Sequence, residues 1–265
     1  LTALLVLVIL QHVLPREALE AWGWRIPFAI GGVLAIVVFW IRTGLEESRS
    51  FLAETEAPAR RGSTRALFAE HPRESAAILA LTAAGSLAFY AYTTYMQKFL
   101  VNTAGFEKDT ATGIMAAVLV IYMLIQPAVG WASDYVGRKT TMAIGLGAGA
   151  LATYPVMSAI AGTRSALEAF ALILVLVVCH SGYSAVNAAV KAELFPAHVR
   201  GLGVALPYAL ANALFGGTAE YIAAWLKKVG QESGFYIYVA VVMLVAAVVA
   251  ARLRNTNVTS RIEED

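Results

Sequence analysis

Ser86, Tyr90, Thr94 and Gln97 recur at helical spacing within an otherwise apolar run, so they fall on one helix face, with Thr93 beside them. A second run repeats the pattern with His180, Ser184, Asn187 and Lys191, and Tyr183 lies nearby. A third carries Tyr208 and Asn212, then Phe215, with Glu220 further along. Hydroxyls, amides and phenols donate hydrogen bonds without permanent charge, which suits a carboxylate ligand. Lipid satisfies none of them, so the three wet faces are expected to line a common water-filled cavity. A ligand with two carboxylates also calls for a cation. Lys98 is the candidate from its type and place, although a lysine near a helix end can equally snorkel to the interface. Arg25 poses the same choice, and "GWRIPF" around it reads more readily as the architecture of a helix start. Proton chemistry within reach of such a cavity would fall to His180 or Glu220. His180 can equally be a hydrogen-bonded structural histidine, and Glu220 can equally pair with Lys227 or Lys228.

The elements that must hold these residues are readable from hydropathy. The chain has 265 residues, 59% apolar and 14% charged, with a mean hydropathy of +0.67. Charged residues approach a quarter of an ordinary soluble domain. Apolar runs fall at 1–14, 22–41, 76–101, 110–132, 141–162, 166–190, 201–226 and 235–253, mostly long enough to cross the hydrocarbon core. Such unalternating runs mean helices, and the class is an all-α polytopic membrane protein embedded in a lipid bilayer. The division expected is 1–41, a polar loop at 42–75, a six-helix bundle at 76–253, and a tail at 254–265. The opening "LTALLVLVIL" has neither an initiator methionine nor a basic leader, so the chain is expected to start inside a helix. Lysine and arginine number 13 in the 42–75, 133–140 and 191–200 loops and the stretch from Arg252 to the C-terminus, against 7 elsewhere. The richer side, with the C-terminus, is expected to be cytoplasmic.

Other classes find little support. A net charge of +2 without a basic face argues against nucleic acid as a partner. Cys179 stands alone, so no disulfide framework exists, and it reads as a core residue. His12, His71, His180 and His198 are scattered, which provides no metal site. No Gly-x-Ser-x-Gly, His-Glu-x-x-His or Gly-x-x-x-x-Gly-Lys element appears, so neither enzyme nor ATP-driven pump is expected, and no cofactor. A channel would show a filter-like loop between spans, and a sensor would add a soluble signalling domain.

"GWASDYVGRKT", Gly130 to Thr140, joins two spans through Gly130, Asp134, Gly137, Arg138 and Lys139. Gly130 would let two helices approach, Gly137 would permit the reversal, and Asp134 could cap a helix or pair with Arg138. "KAELFPAHVRG", Lys191 to Gly201, places Glu193, Pro196 and Arg200 at a second turn, with an ion pair possible between Glu193 and Arg200. The first loop resembles the signature of the major facilitator superfamily, and the second resembles an element between that family's tenth and eleventh helices. "WGWRIPFAIGGVLAIVVFW", "AAGSLAFYAYTTYMQKFLVNTAG" and "AELFPAHVRGLGVALPYALANALFGGTAEYIA" are similar to its metabolite:proton symporter branch. The resemblance runs from Leu1 to about Ala250. It implies the end of helix 5, helix 6 and helices 7 to 12 of a twelve-helix carrier, with earlier helices preceding Leu1. It further implies a monomer in the bacterial inner membrane that takes up α-ketoglutarate or a similar dicarboxylate with a proton. Citrate, shikimate or a zwitterion such as betaine would suit the same donors. Gly130, Asp134, Gly137, Arg138, Lys139, Glu193 and Arg200 would then bias which face of the carrier is open.

Overall fold

The computed structural model describes residues 2–44 and 64–253. Among these residues it contains helices and turns but no strand, and seven helices are long and apolar enough to cross a membrane. The chain divides into two compact units, Leu1–Pro58 and Ala59–Asp265.

In the first unit, α1 (Thr2–Val13) stops before Pro15, and α2 (Arg16–Ala21) follows. A 3-10 turn at Gly23–Arg25 leads into α3 (Ile26–Thr43). Pro27 sits in the first turn of α3, where its missing N–H would have had no helical partner. Arg25 closes this turn: Nη1 donates to the Ala21 carbonyl at 2.8 Å, and the guanidinium lies 4.4 Å over the Trp24 ring. That geometry gives Arg25 the structural role.

The second unit begins with a short helix, α4 (Thr64–Glu70). Six long helices come next: α5 (Pro72–Asn102), α6 (Lys108–Val136), α7 (Arg138–Gly162), α8 (Ala166–Glu193), α9 (Val199–Lys228) and α10 (Glu232–Arg252). Each extends up to four residues beyond its predicted apolar run, because a helix does not stop where its apolar content does. For the same reason the 42–75 stretch, read as loop, holds α4 and the first turn of α5. The remainder of that stretch, 45–63, and the tail 254–265 lie outside the described residues.

α7 packs against α8 and α10, and α5 against α9 and α10. The α7–α8 contact is backbone on backbone. A Cβ added at Gly145 would lie 2.7 Å from both the Gly182 Cα and the Cys179 carbonyl oxygen. Such small-residue contacts allow close packing where apolar burial drives no association, because lipid is as apolar as the helix. Tyr92, fully buried, places its hydroxyl 2.5 Å from Thr153 Oγ1 and donates to Met243 Sδ at 3.1 Å, tying α5 to α7 and α10.

Three long helices are irregular. α5 contains a π-helical turn at Tyr90–Thr94, and α9 contains another at Asn212–Gly216. α8 is interrupted between Ser184 and Asn187. A π turn holds an extra residue, so the helix on its C-terminal side is rotated by about 100° from the α register.

Gly145→Val should destabilise the bundle by about 1–3 kcal/mol through overpacking. A thermal melt of the detergent-solubilised protein would check this. Gly113→Ala, where an added Cβ meets nothing within 4 Å, should leave the melt unchanged or slightly raised.

Candidate functional site

A cavity of about 280 Å³ opens between α5, α8 and α9. α5 supplies Gly85, Ser86, Phe89 and Tyr90 to its wall, and α8 supplies His180, Tyr183, Ser184 and Asn187. Tyr208 and Asn212 line it from α9. Its shape depends on Gly85, because a Cβ there would collide with the Tyr183 ring. Tyr90, His180, Tyr183, Asn187, Tyr208 and Asn212, six of the eleven residues the sequence assigns to ligand or proton, therefore meet in one place.

The other five lie beyond or within the π turns and face elsewhere. Thr93 is buried and donates to the Phe89 carbonyl at 2.5 Å, while Thr94 is exposed. Gln97 Nε2 donates to Thr112 Oγ1 of α6 at 2.7 Å. Lys98 and Glu220 form an ion pair with each other, with both side chains substantially exposed. Glu220 thus pairs with Lys98 rather than with Lys227 or Lys228, and Lys98 is not among the residues that line this cavity. Lys227 instead binds the Thr103 hydroxyl, the Asn102 carbonyl at 2.8 Å and Glu232 at 3.6 Å. Phe215, in the π turn of α9, packs on the hydrophobic core.

In the cavity wall His180 is 3% exposed. Its Nε2 lies 3.0 Å from the Gly85 carbonyl oxygen; a carbonyl only accepts, so Nε2 carries a proton. Nδ1 is 2.7 Å from the Tyr122 hydroxyl, which is also 2.7 Å from Ser184 Oγ, and Ser184 donates to Gln126 Oε1 at 2.9 Å. Tyr122 has one hydroxyl proton for two contacts. With neutral His180 that proton goes to Nδ1, and no proton is left between Tyr122 and Ser184. With a proton on Nδ1 the chain runs His180 to Tyr122 to Ser184 to Gln126, and every contact is a hydrogen bond. Tyr122 and Gln126, four residues apart on α6, form too short a polar pair to stand out from an apolar run.

Lys191 is placed on the α8 wet face by its spacing but is not put forward there as the cation for a ligand. It completes the α8 stripe, but its place at the start of a polar loop set it among the cytoplasmic charges. The structure buries it to 2% exposure. Nζ donates to the Tyr183 hydroxyl at 2.9 Å and Asn187 Oδ1 at 3.3 Å. It also lies 5.4 and 4.9 Å from the ring centroids of Tyr183 and Tyr208.

Residues 56–260 match the family model described as "Sugar (and other) transporter". The chain belongs to this family, within the major facilitator superfamily. It is 47% identical over 255 residues to the α-ketoglutarate permease of Escherichia coli (strain K12), covering 96% of this chain and 58% of that protein. It is 30% identical to the citrate-proton symporter of Klebsiella pneumoniae, over 84% of this chain and 50% of that one. It is 27% identical to the proline/betaine transporter of Salmonella typhimurium (strain LT2), over 92% and 50% respectively. The chain thus spans about half the length of the curated relatives it matches. No solved structure matches it at a significant level.

The family's loop signature forms an ion cluster at the bundle end opposite Lys98. Gly137 separates α6 from α7 with φ +96°, the left-handed region that favours glycine. Arg138 pairs with Glu193 at the end of α8, and with Asp134 at 3.6 Å. The expected Glu193–Arg200 pair is replaced by Glu193–Arg138, while Arg200 Nε donates to the carbonyls of Ala192 and Phe195. Gly130 is a correction too: an added Cβ would meet open space there, so no close helix approach among the described residues depends on it. Lys139 is half-buried in the first turn of α7.

Glu193 is nearly inaccessible while Arg138 remains one-third exposed, so neutralising Arg138 strands Glu193, whereas neutralising Glu193 leaves Arg138 with Asp134 and solvent. Arg138→Gln and Glu193→Gln should each lower the melting temperature, and the double variant should lose less than the sum. The coupling should reach about 0.5–3 kcal/mol, as for residues in contact.

Proposed function

We propose that this chain forms the C-terminal bundle of a secondary carrier that moves a small carboxylate together with a proton by alternating access. The favoured substrate is α-ketoglutarate or a similar dicarboxylate, and the favoured setting is the bacterial inner membrane with the 133–140 loop and the C-terminus cytoplasmic. One observation carries the reading: three membrane-length helices present neutral hydrogen-bond donors and acceptors to one cavity, whose wall contains no carboxylate among the described residues. An anion entering it meets donors and no fixed negative charge. Midplane cavities of this kind are where repeat-built carriers hold substrate. α-Ketoglutarate, citrate, proline and betaine, the compounds in the relatives' names, share a carboxylate, and the greater identity to the permease favours the dicarboxylate.

On this reading His180 is the proton acceptor. It faces the cavity, and its hydrogen-bond chain accommodates a second ring proton without losing a contact. Around it stand Tyr122 on α6, Tyr92 and the Gly85 carbonyl on α5, and Tyr183 on α8. No carboxylate touches it among the described residues. Glu220 is the weaker candidate, since its charge is engaged by Lys98.

The whole transporter, reconstituted in proteoliposomes, should accumulate labelled α-ketoglutarate when the outside is made acidic, and excess unlabelled dicarboxylate should abolish the uptake. His180→Gln should lose most of the acid-driven accumulation while retaining counterflow, which needs no net proton movement. Full accumulation by that variant would remove His180 from the proton path. No uptake of any carboxylate by the unaltered protein would end the carrier reading itself.

A further inference from the structure

Burying an ammonium group without an anion is expensive, and such groups normally pair, move to the surface or lose their charge. Lys191 does neither of the first two. It is 2% exposed, no carboxylate pairs with it among the described residues, and all its contacts are neutral: a phenol, an amide and two tyrosine rings. Three residues hold it, Tyr183, Asn187 and Tyr208, and each of the three also lines the cavity. By contrast the exposed lysines of the bundle end, Lys98 and Lys227, have carboxylate partners in Glu220 and Glu232. The one deeply buried ammonium of the described residues thus stands directly behind the cavity wall with its charge unmatched.

We propose that Lys191 is the anchor for a substrate carboxylate, the ion-pair partner that the ligand-free cavity withholds. The assignment rests on the carrier reading above and specifies its ligand chemistry. Asn187 Oδ1 and the Tyr183 hydroxyl keep the ammonium in place by accepting from it, so a carboxylate reaches it by displacing one of these wall side chains rather than by a change of the lysine rotamer. The Tyr183 and Tyr208 rings flank the ammonium with their electron-rich faces and exclude water, which strengthens the incoming ion pair. A cation that is desolvated in advance discriminates by charge. It favours any carboxylate over a neutral analogue of the same shape, and leaves the selection among carboxylates to the remainder of the cavity.

The test is a cycle between lysine and ligand charge, measured as equilibrium binding to the purified whole transporter. The ligands are α-ketoglutarate, its γ-amide and its dimethyl ester. Lys191→Gln should weaken α-ketoglutarate binding by about 10- to 100-fold, the worth of a charge-assisted hydrogen bond. It should leave the dimethyl ester bound as in the unaltered protein, and the γ-amide shows which carboxylate is read. Lys191→Arg, which retains the cation, should keep the preference for acid over ester, and it serves where Lys191→Gln does not give a monodisperse protein. Two outcomes overturn the assignment. One is unchanged α-ketoglutarate affinity in Lys191→Gln. The other is an equal loss for acid and ester with a lower melting temperature of the ligand-free variant, which would make Lys191 the partner of a protein carboxylate. If the unaltered protein binds none of the three ligands, the carrier reading fails first.

Discussion

Within a bilayer a polar side chain has no water to bind, so each one must find a partner in the protein or face a wet cavity. That requirement sorts the polar residues of the second unit more strictly than their hydrophobic neighbours. The tyrosines of α5 illustrate the sorting. Tyr90 faces the cavity, Tyr92 bonds Thr153 and Met243 in the core, and Tyr95 donates to Glu232 at the start of α10 at 3.4 Å. Three residues of one type within six positions do three jobs, because each has a different acceptor within reach.

The π turns decide where the wet face stops. In α5 the stripe Ser86, Tyr90, Thr94, Gln97 is drawn for a regular helix, and it holds only as far as Tyr90. The inserted residue then turns Gln97 toward Thr112 and Lys98 toward Glu220. In α9 the same event after Asn212 carries Glu220 off the cavity and onto Lys98. The two turns touch: a Cβ at Gly216 would lie 2.9 Å from the Tyr90 ring. Two helices that change register at the same height confine the cavity to one part of the bundle and devote the rest of their length to inter-helix ion pairs and packing.

This explains what the sequence could and could not disclose. Span positions were legible because apolar length is a property of composition, and the cavity's walls were legible up to the first residue of each π turn and, on α8, across the break to Asn187. A π turn leaves no mark in hydropathy, so residues beyond it that are expected on the cavity face bond instead to neighbouring helices. Tyr122 and Gln126 were missed for another reason: the two make only a one-turn polar pair on an apolar stretch, and only the neighbouring helix shows what they bind. Lys191 reads two ways in the sequence, as part of the α8 stripe and as a loop charge. A lysine beside "AELFP" reads as a loop charge counted for topology, and only three-dimensional packing reveals that Tyr183 and Tyr208 enclose it. The basic excess of the 133–140 and 42–75 loops does not depend on it.

His180 and Lys191 stand on one helix, and on the proposed reading their charges govern the order of events. Lys191 alone gives the cavity one positive charge. A dianion binding there would leave one negative charge in a poorly solvated space, which is unfavourable unless a proton accompanies it. The proton on His180 supplies the second positive charge, and dianion, ammonium and imidazolium then sum to zero. A monoanion needs no such proton, because Lys191 already balances it. Coupling between proton and substrate therefore requires no direct contact between them. It arises from the cost of net charge inside the bundle, and a ligand with two carboxylates carries the coupling where a ligand with one does not.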